Sequence, residues 1–209
     1  FFSSSKKKTI IKTHNIESIR GHMAGLWGIK FSSDSKKILT ASDDGTARLW
    51  NLEGTELMVL KGHTDQVLSA NFSPDGNYVV TASGDKTARI WNIKPKENPA
   101  LKGHTAEVFD ANFSPDGRLI ITTGWDYTAR LWSVGGSQLK VMDHDLYAVF
   151  QSFISPGNKF IHTSNYHTGE VRLWNINGEL FQILKHNGVV AQNGNSFSPN
   201  GKMLLTQLE

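Results

Sequence analysis

Serine, histidine and aspartate recur together along this chain, at spacings that would let a fold bring them into contact. A hydroxyl, an imidazole and a carboxylate in contact are the groups that nucleophilic catalysis uses. The two complete sets are His22, Ser42 and Asp44, and then His63, Ser83 and Asp85. An enzyme needs one such nucleophile and one oxyanion hole at a single site. Because the same set returns at a fixed interval, we interpret it as part of a repeated scaffold and not as a catalytic site.

Four tryptophans recur at the same interval. Each ends a stretch of the form Thr-Ala-Arg-x-Trp, and the last copy of this stretch is degenerate. These tryptophans are Trp50, Trp91, Trp132 and Trp174, and successive members are 41, 41 and 42 residues apart. A Gly-His dipeptide and a Phe-Ser-Pro-Asp-Gly turn keep the same interval. A period in the low forties indicates a chain of repeated structural units. Short apolar and β-branched runs between glycine, proline, aspartate and asparagine predict that each unit consists of strands.

The second unit contains Gly-His, then Ser-Pro-Asp-Gly, then Ser-x-Asp-x-Thr-x-Arg-x-Trp, and the other units contain the same series with substitutions. This pattern resembles the WD40-repeat family and especially its bacterial arrays. The resemblance extends from about residue 9 to the last residue. It implies an all-β fold, a WD40 β-propeller of about five blades, in which four-stranded antiparallel sheets surround a central channel. It also implies that a histidine, a hydroxyl, an aspartate and a tryptophan of each blade form a structural tetrad.

In such a tetrad the indole N–H is linked through a hydroxyl and an imidazole to a carboxylate, which satisfies buried polar groups. The residues at the tetrad positions are His22, Ser42, Asp44 and Trp50; His63, Ser83, Asp85 and Trp91; His104, Asp126 and Trp132; and Trp174. The third unit has Gly124 at the hydroxyl position, for which Thr123 could substitute. The fourth has Thr168 where the aspartate is expected, so the tetrad is in doubt beyond the third blade.

The whole chain, residues 1–209, is predicted to be one propeller domain. The repeats are predicted at residues 21–61, 62–102, 103–142 and 143–184, with residues 1–20 as outer strands of a partial blade and residues 185–209 as a partial repeat. The two ends could complete one blade and close a five-bladed ring. The chain could also be an arc of a larger ring, and we leave both arrangements open.

Composition excludes several classes of site. The chain has no cysteine, which rules out disulfides, thiolate zinc sites and thiol catalysis, and is compatible with the cytoplasmic location that we expect. Five of the eight histidines occupy the repeated turn position, and the others form no recognised ligand spacing. No apolar run approaches the length of a membrane span. We therefore predict no metal, no cofactor, no small-molecule substrate and no membrane partner.

Recognition of a partner remains as the function. The resemblance implies contacts on the narrow face, at the channel mouth, where the fifth residue after each Gly-His histidine opens the first strand. That position holds Trp27, Leu68 and Phe109, and Phe150 aligns with them, although the pattern is equally typical of inter-blade core. Trp125 and Asp43 each precede a tetrad aspartate and are further candidates.

We predict a non-catalytic scaffold for a protein or peptide. The alternative is a nucleic-acid-binding propeller, which a formal charge of +3 supports only weakly.

Overall fold

Four four-stranded antiparallel sheets make up most of the described structure. The computed structural model describes residues 20–93, 99–145, 147–165, 168–185 and 196–206. Blade 1 consists of β1 (Leu26–Phe31), β2 (Lys37–Ser42), β3 (Thr46–Asn51) and β4 (Glu56–Lys61). Blade 2 consists of β5 (Val67–Phe72), β6 (Tyr78–Ser83), β7 (Thr87–Asn92) and β8 (Ala100–Lys102). Blade 3 consists of β9 (Val108–Phe113), β10 (Leu119–Gly124), β11 (Thr128–Ser133) and β12 (Gln138–Asp143). Blade 4 consists of β13 (Gln151–Ile154), β14 (Phe160–Asn165), β15 (Glu170–Asn175) and β16 (Leu180–Lys185). A further sheet is represented by β17 (Ser196–Phe197) and β18 (Leu204–Leu205).

The strands of each blade follow one another in chain order across the sheet, and every pairing is antiparallel. The first strands β1, β5, β9 and β13 contact one another in series, so they form the inner wall of the arrangement. The all-β prediction with four strands to a blade is confirmed. No helix among the described residues has the length and hydropathy that crossing a membrane would require.

Two sequence predictions concern the ends of the chain. The predicted outer strands within residues 1–20 lie almost wholly outside the described residues. In the partial last repeat, the strands Val189 to Phe197 and Lys202 to Leu208 are predicted from the sequence. The described strands there, β17 and β18, are two residues long each, and residues 186–195 and 207–209 lie outside the described residues. Closure of a five-bladed ring therefore stays a prediction, as does the larger ring.

The turn between the first two strands of a blade is stabilised by its own side chains. In blade 2 the Ser73 hydroxyl donates to the Asp75 carboxylate at 2.5 Å and accepts the Tyr78 N–H at 2.9 Å. Gly76 has a φ of 66°, a conformation that costs glycine little and other residues more. Ser114, Asp116 and Gly117 repeat this turn in blade 3. The Phe-Ser-Pro-Asp-Gly motif is therefore a local device that fixes the register of the first two strands.

Apolar side chains pack between neighbouring blades. One cluster joins blades 1 and 2 and includes Leu39, Leu49 and Trp91; the next joins blades 2 and 3 and includes Trp132; the third joins blades 3 and 4 and includes Trp174. Each of these tryptophans belongs to the later blade of its pair. Each junction thus buries a tryptophan against the preceding blade, which is how stacked repeats build a continuous core.

The face of β1 that points away from blade 2 is uncovered among the described residues. Leu26, Ile29 and Phe31 are 49%, 58% and 64% exposed. Their counterparts in blade 2 include Val67 and Ala70, which are buried against blade 1. The same repeat position is therefore core in blade 2 and exposed in blade 1, because blade 1 packs against β5 on that side of blade 2.

Candidate partner-binding surface

A chain of three hydrogen bonds crosses blade 2 from its tryptophan to an aspartate. The indole N–H of Trp91 donates to the Thr81 hydroxyl at 2.8 Å, and that hydroxyl lies 2.7 Å from Nε2 of His63. Nδ1 of His63 lies 2.8 Å from the Asp85 carboxylate. With a neutral imidazole, the hydroxyl donates to Nε2 and the Nδ1–H donates to the carboxylate. Every polar group in this series of hydrogen bonds then has a partner.

Blades 1 and 3 contain the same chain of bonds. The indole-to-hydroxyl, hydroxyl-to-imidazole and imidazole-to-carboxylate distances are 2.9, 2.7 and 2.8 Å in blade 1 and 2.8, 2.8 and 2.9 Å in blade 3. The residues in this order are Trp50, Thr40, His22 and Asp44 in blade 1, and Trp132, Thr122, His104 and Asp126 in blade 3. The repeated set therefore forms three separate structural networks, one in each blade.

The hydroxyl in each network is not the residue that the sequence predicted. Ser42 and Ser83 were expected to accept the indole N–H, but Thr40 and Thr81 do so. Trp91 pairs with Val79 across the strands, so its N–H reaches only the diagonal neighbour, and Ser83 lies beyond it. Ser83 instead donates to the Asp65 carbonyl at 3.2 Å and accepts the Asp85 N–H at 3.1 Å, which fixes the turn.

In blade 3 the predicted substitute was also wrong. Thr122 takes the hydroxyl position, whereas the hydroxyl of Thr123 is buried without a hydrogen-bond partner. The accepting hydroxyls of blades 1 to 3 are all 1% exposed or less, so solvent does not reach them. These oxygen atoms are scaffold groups, in keeping with the interpretation that the repeated triads are not catalytic.

Blade 4 has only part of the network. The Trp174 indole donates to the Thr163 hydroxyl at 2.8 Å, and the His144 ring lies 5.4 Å from the Trp174 ring. Nε2 of His144 is buried and has no hydrogen-bond partner. Burial, followed by the nearby charge of Arg172, lowers the pKa of His144 to about 3. Among the described residues, blade 4 therefore keeps the indole and hydroxyl of the tetrad, while its imidazole has no carboxylate partner, in line with the expected weakening after blade 3.

The tetrad aspartates are held in the ionised form. Burial acts to raise the pKa of Asp126, but hydrogen bonds from His104, the Thr105 N–H and Thr128 outweigh it and keep the pKa well below its usual value. Arg130 lies 3.5 Å from the same carboxylate. Asp44 and Asp85 are shifted in the same direction. Each carboxylate thus fixes two turns of its blade at once.

The glycine of each Gly-His pair is explained by the tryptophan ring beside it. A Cβ atom on Gly103 would lie 3.1 Å from Cη2 of Trp132 and 2.9 Å from Nη1 of Arg130. On Gly21 the corresponding distance to Trp50 is 2.7 Å. The backbone therefore passes over the ring edge at a distance that no larger residue permits.

We expect the substitution Thr81→Val to lower the free energy of unfolding by about 2–4 kcal/mol, because it leaves the Trp91 N–H and His63 Nε2 buried without partners. Ser83→Ala is the matched control on the same strand, with an expected loss of about 1 kcal/mol. Urea denaturation of both variants measures the difference. Equal losses would contradict the assignment of the threonine as the bridging hydroxyl.

A β-bulge opens the first strand of each of blades 1 to 3. The pairing skips one residue between Leu26 and Gly28, and likewise around Leu68 and Phe109. A bulge breaks the alternation of side chains along a strand and turns the extra residue to a new direction. The extra residues are Trp27, Leu68 and Phe109, the row that the sequence left open between core and surface. All three line one cavity of about 550 Å³, which the first strands of the four blades enclose.

Aromatic rings from two blades cluster at this cavity. The Phe109 and Phe150 rings are stacked with centroids 4.5 Å apart, and the Trp125 ring meets their edges at 5.5 and 5.9 Å. On the other side of the cavity, the Trp27 indole donates to the Asp43 carboxylate at 2.5 Å. Trp27 and Trp125 are 57% and 50% exposed. We call the surface formed by Trp27, Leu68, Phe109, Trp125 and Phe150 the channel mouth.

The structure adds a carboxylate that the sequence analysis missed. Asp110 also lines the cavity, and its carboxylate accepts the Ala111 N–H at 3.0 Å, the Asn112 side-chain N–H at 2.7 Å and the Ser152 N–H at 3.4 Å. Burial raises the pKa of Asp110 to about 6, against these hydrogen bonds and the charge of Lys30. One signal was available in the sequence: an aspartate within a strand where the preceding repeat has Ser69. Among the described residues, no cluster of three potential metal ligands occurs.

The fold and the tetrads define a propeller of the WD type, and comparison of the sequence with known families agrees. The model of the WD domain, G-beta repeat, matches three times, at residues 13–51, 54–92 and 96–133, which together cover more than half of the chain. The chain therefore belongs to the WD40-repeat family, whose repeats generally serve as protein-interaction scaffolds and are typically not catalytic. No curated protein matches the chain.

Proposed function

We propose that this chain is a non-catalytic scaffold that binds a protein or peptide at the channel mouth. The observation that carries the proposal is the half-exposed Trp125, which packs on Phe109 and Phe150 beside an open cavity. Large aromatic side chains that are rigidly held and solvent-accessible supply much of the energy of protein interfaces. The cavity provides the concave surface into which a partner side chain can insert.

The blade does not require a tryptophan at position 125. Asp43 and Gly84 occupy the same place in blades 1 and 2, where the turn has the same form. The backbone of this residue makes the hydrogen bond that holds the turn: the Trp125 N–H donates to the Glu107 carbonyl at 2.9 Å. The Gly84 N–H donates in the same way to the Gln66 carbonyl. The indole is therefore available for a role outside the scaffold.

The test is a selection of peptides from a random library against the whole chain, followed by affinity measurements on individual peptides. We expect the Trp125→Ala variant to bind them at least about tenfold more weakly, as loss of an interface anchor does. Leu139→Ala is the matched control, because Leu139 is 45% exposed on the outer strand β12, away from the channel. Peptides that bind Trp125→Ala as well as the unmodified chain would refute binding at the channel mouth.

A further inference from the structure

The turns around the channel mouth are acidic, although the chain as a whole has a formal charge of +3. Asp43 holds the Trp27 indole, and Asp65 lies beside the next turn, where its carboxylate would be 3.0 Å from a Cβ on Gly84. Glu107 lies next to Trp125, which its carbonyl binds. In the described turns between second and third strands, Lys86 is the one positively charged residue. The turns beside the aromatic rings therefore carry three carboxylates, those of Asp43, Asp65 and Glu107.

These three carboxylates form no ion pair with the described residues. Two of the tetrad aspartates, Asp44 and Asp126, each lie 3.5 Å from an arginine, Arg48 and Arg130. Among the described residues, no lysine, arginine or histidine nitrogen lies within 4 Å of the carboxylates of Asp43, Asp65 and Glu107. Asp43 and Asp65 are also exposed. Their field acts on whatever approaches the cavity and favours a positively charged group.

A fourth carboxylate, that of Asp110, lines the cavity itself. Asp110 has hydrogen bonds from N–H groups but no ion pair among the described residues. Lys30 lines the same cavity from β1 and acts on the Asp110 charge, yet it lies beyond salt-bridge distance. A cationic side chain entering from the channel mouth would pass the aromatic rings, whose faces attract cations, before it reached this carboxylate.

We propose that the occupant of the channel mouth is a basic segment of a partner protein, with a lysine or arginine side chain directed towards Asp110. This inference rests on the proposed function and specifies its ligand. Apolar residues of the segment contact Trp125, Phe109 and Phe150, while Asp43, Asp65 and Glu107 attract its remaining charge. A nucleic acid is disfavoured at the same surface, because its phosphates would meet these three carboxylates and only isolated lysines.

Binding of a cation at Asp110 requires the ionised carboxylate, which makes the affinity depend on pH. The carboxylate is ionised above a pH of about 6 and neutral below it, so the affinity should fall as the pH decreases from 7.5 to 5.5. Lys30 is the charged group that faces Asp110 from β1. The cavity residues of β5 and β13, Ser69, Asn71 and Gln151, are uncharged. The Asp110→Asn variant should remove this pH dependence.

The experiment uses two peptide libraries with the same apolar residues, one varied with lysine and arginine and the other with aspartate and glutamate. We expect binders from the basic library only. For these peptides, Asp110→Asn should weaken binding about tenfold and Asp65→Asn about twofold to threefold, the latter mainly at low salt. Asp65 lies at the exposed rim, so its variant tests the charge even if Asp110→Asn alters the fold.

Each outcome decides between the two proposals. Binders from the acidic library alone, or equally from both, would overturn the basic ligand but leave the proposed function intact if they depend on Trp125. Trp125-dependent binding of a single-stranded oligonucleotide in preference to the basic peptides would also overturn it. A failure to obtain any Trp125-dependent binder would refute the proposed function and the inference together.

Discussion

The substitution Trp132→Ala is expected to lower the free energy of unfolding by about 3–5 kcal/mol, whereas Trp125→Ala in the same blade leaves it nearly unchanged. Trp132 is 1% exposed and lies in the cluster that joins blades 2 and 3. Its removal creates a cavity at that junction and deprives the Thr122 hydroxyl of its indole donor at 2.8 Å. His104, bonded to the same hydroxyl, would lose part of its support.

Trp125 is the control because it is the same residue type in a different environment. It is half exposed, and its side chain contacts the rings of Phe109 and Phe150. Chemical denaturation monitored by circular dichroism measures both variants without relying on tryptophan fluorescence. Similar losses of stability in the two variants would show that Trp125 belongs to the scaffold and would remove the main support for the channel mouth.

The substitution His162→Leu is expected to stabilise the fold by about 2 kcal/mol at neutral pH. His162 is fully buried on β14, and among the described residues neither ring nitrogen has a hydrogen-bond partner. The ring stacks on Phe153 with centroids 5.5 Å apart and meets the edge of the Phe197 ring at 6.5 Å. The equivalent positions of the other blades hold Leu39, Val80 and Ile121, which are buried apolar residues. Leucine therefore removes two unsatisfied polar atoms and restores the residue class of the repeat.

The same substitution should reduce the sensitivity of the fold to acid. Burial lowers the pKa of His162 to about 3, below its value of 6.5 in an unfolded chain. The unfolded state then binds the proton more readily, so the stability is complete above pH 6.5 and is lost as the pH falls towards the folded pKa. Because of this residue, the free energy of unfolding at pH 5 is about 2 kcal/mol lower than at pH 7. His144, whose pKa is also lowered, adds a similar loss that remains in the variant.

Thermal melts of the unmodified chain and His162→Leu between pH 7 and pH 5 test this expectation. The reciprocal change Ile121→His on blade 3 is the matched control, since it should destabilise the chain and steepen its pH dependence. An unchanged pH dependence in His162→Leu would mean that this ring is hydrogen-bonded in solution and that the acid sensitivity arises elsewhere.

The sequence by itself determined the repeat, the strands and the position of the tetrads. The signals are local: the Ser73–Asp75–Gly76 turn forms its own hydrogen bonds, and apolar runs between such turns can form only strands of a fixed length. The third strands, such as Thr46–Asn51, accordingly coincide with the repeated Thr-Ala-Arg-x-Trp stretch. The first strand of blade 4, Gln151–Ile154, is shorter than those of blades 1 to 3, in the repeat whose motifs are the most degenerate of the four.

Only the tertiary structure decided which atoms of these motifs meet. Thr81 and Ser83 point to the same face of one strand, and the cross-strand register alone selects the threonine. The bulge at Trp27, Leu68 and Phe109 leaves no mark in the residue pattern, yet it turns these side chains from a core position to the cavity. The environment of Asp110 and His162 likewise depends on neighbouring blades. Contacts between blades join residues about forty positions apart, so their geometry depends on how the sheets stack and not on local sequence.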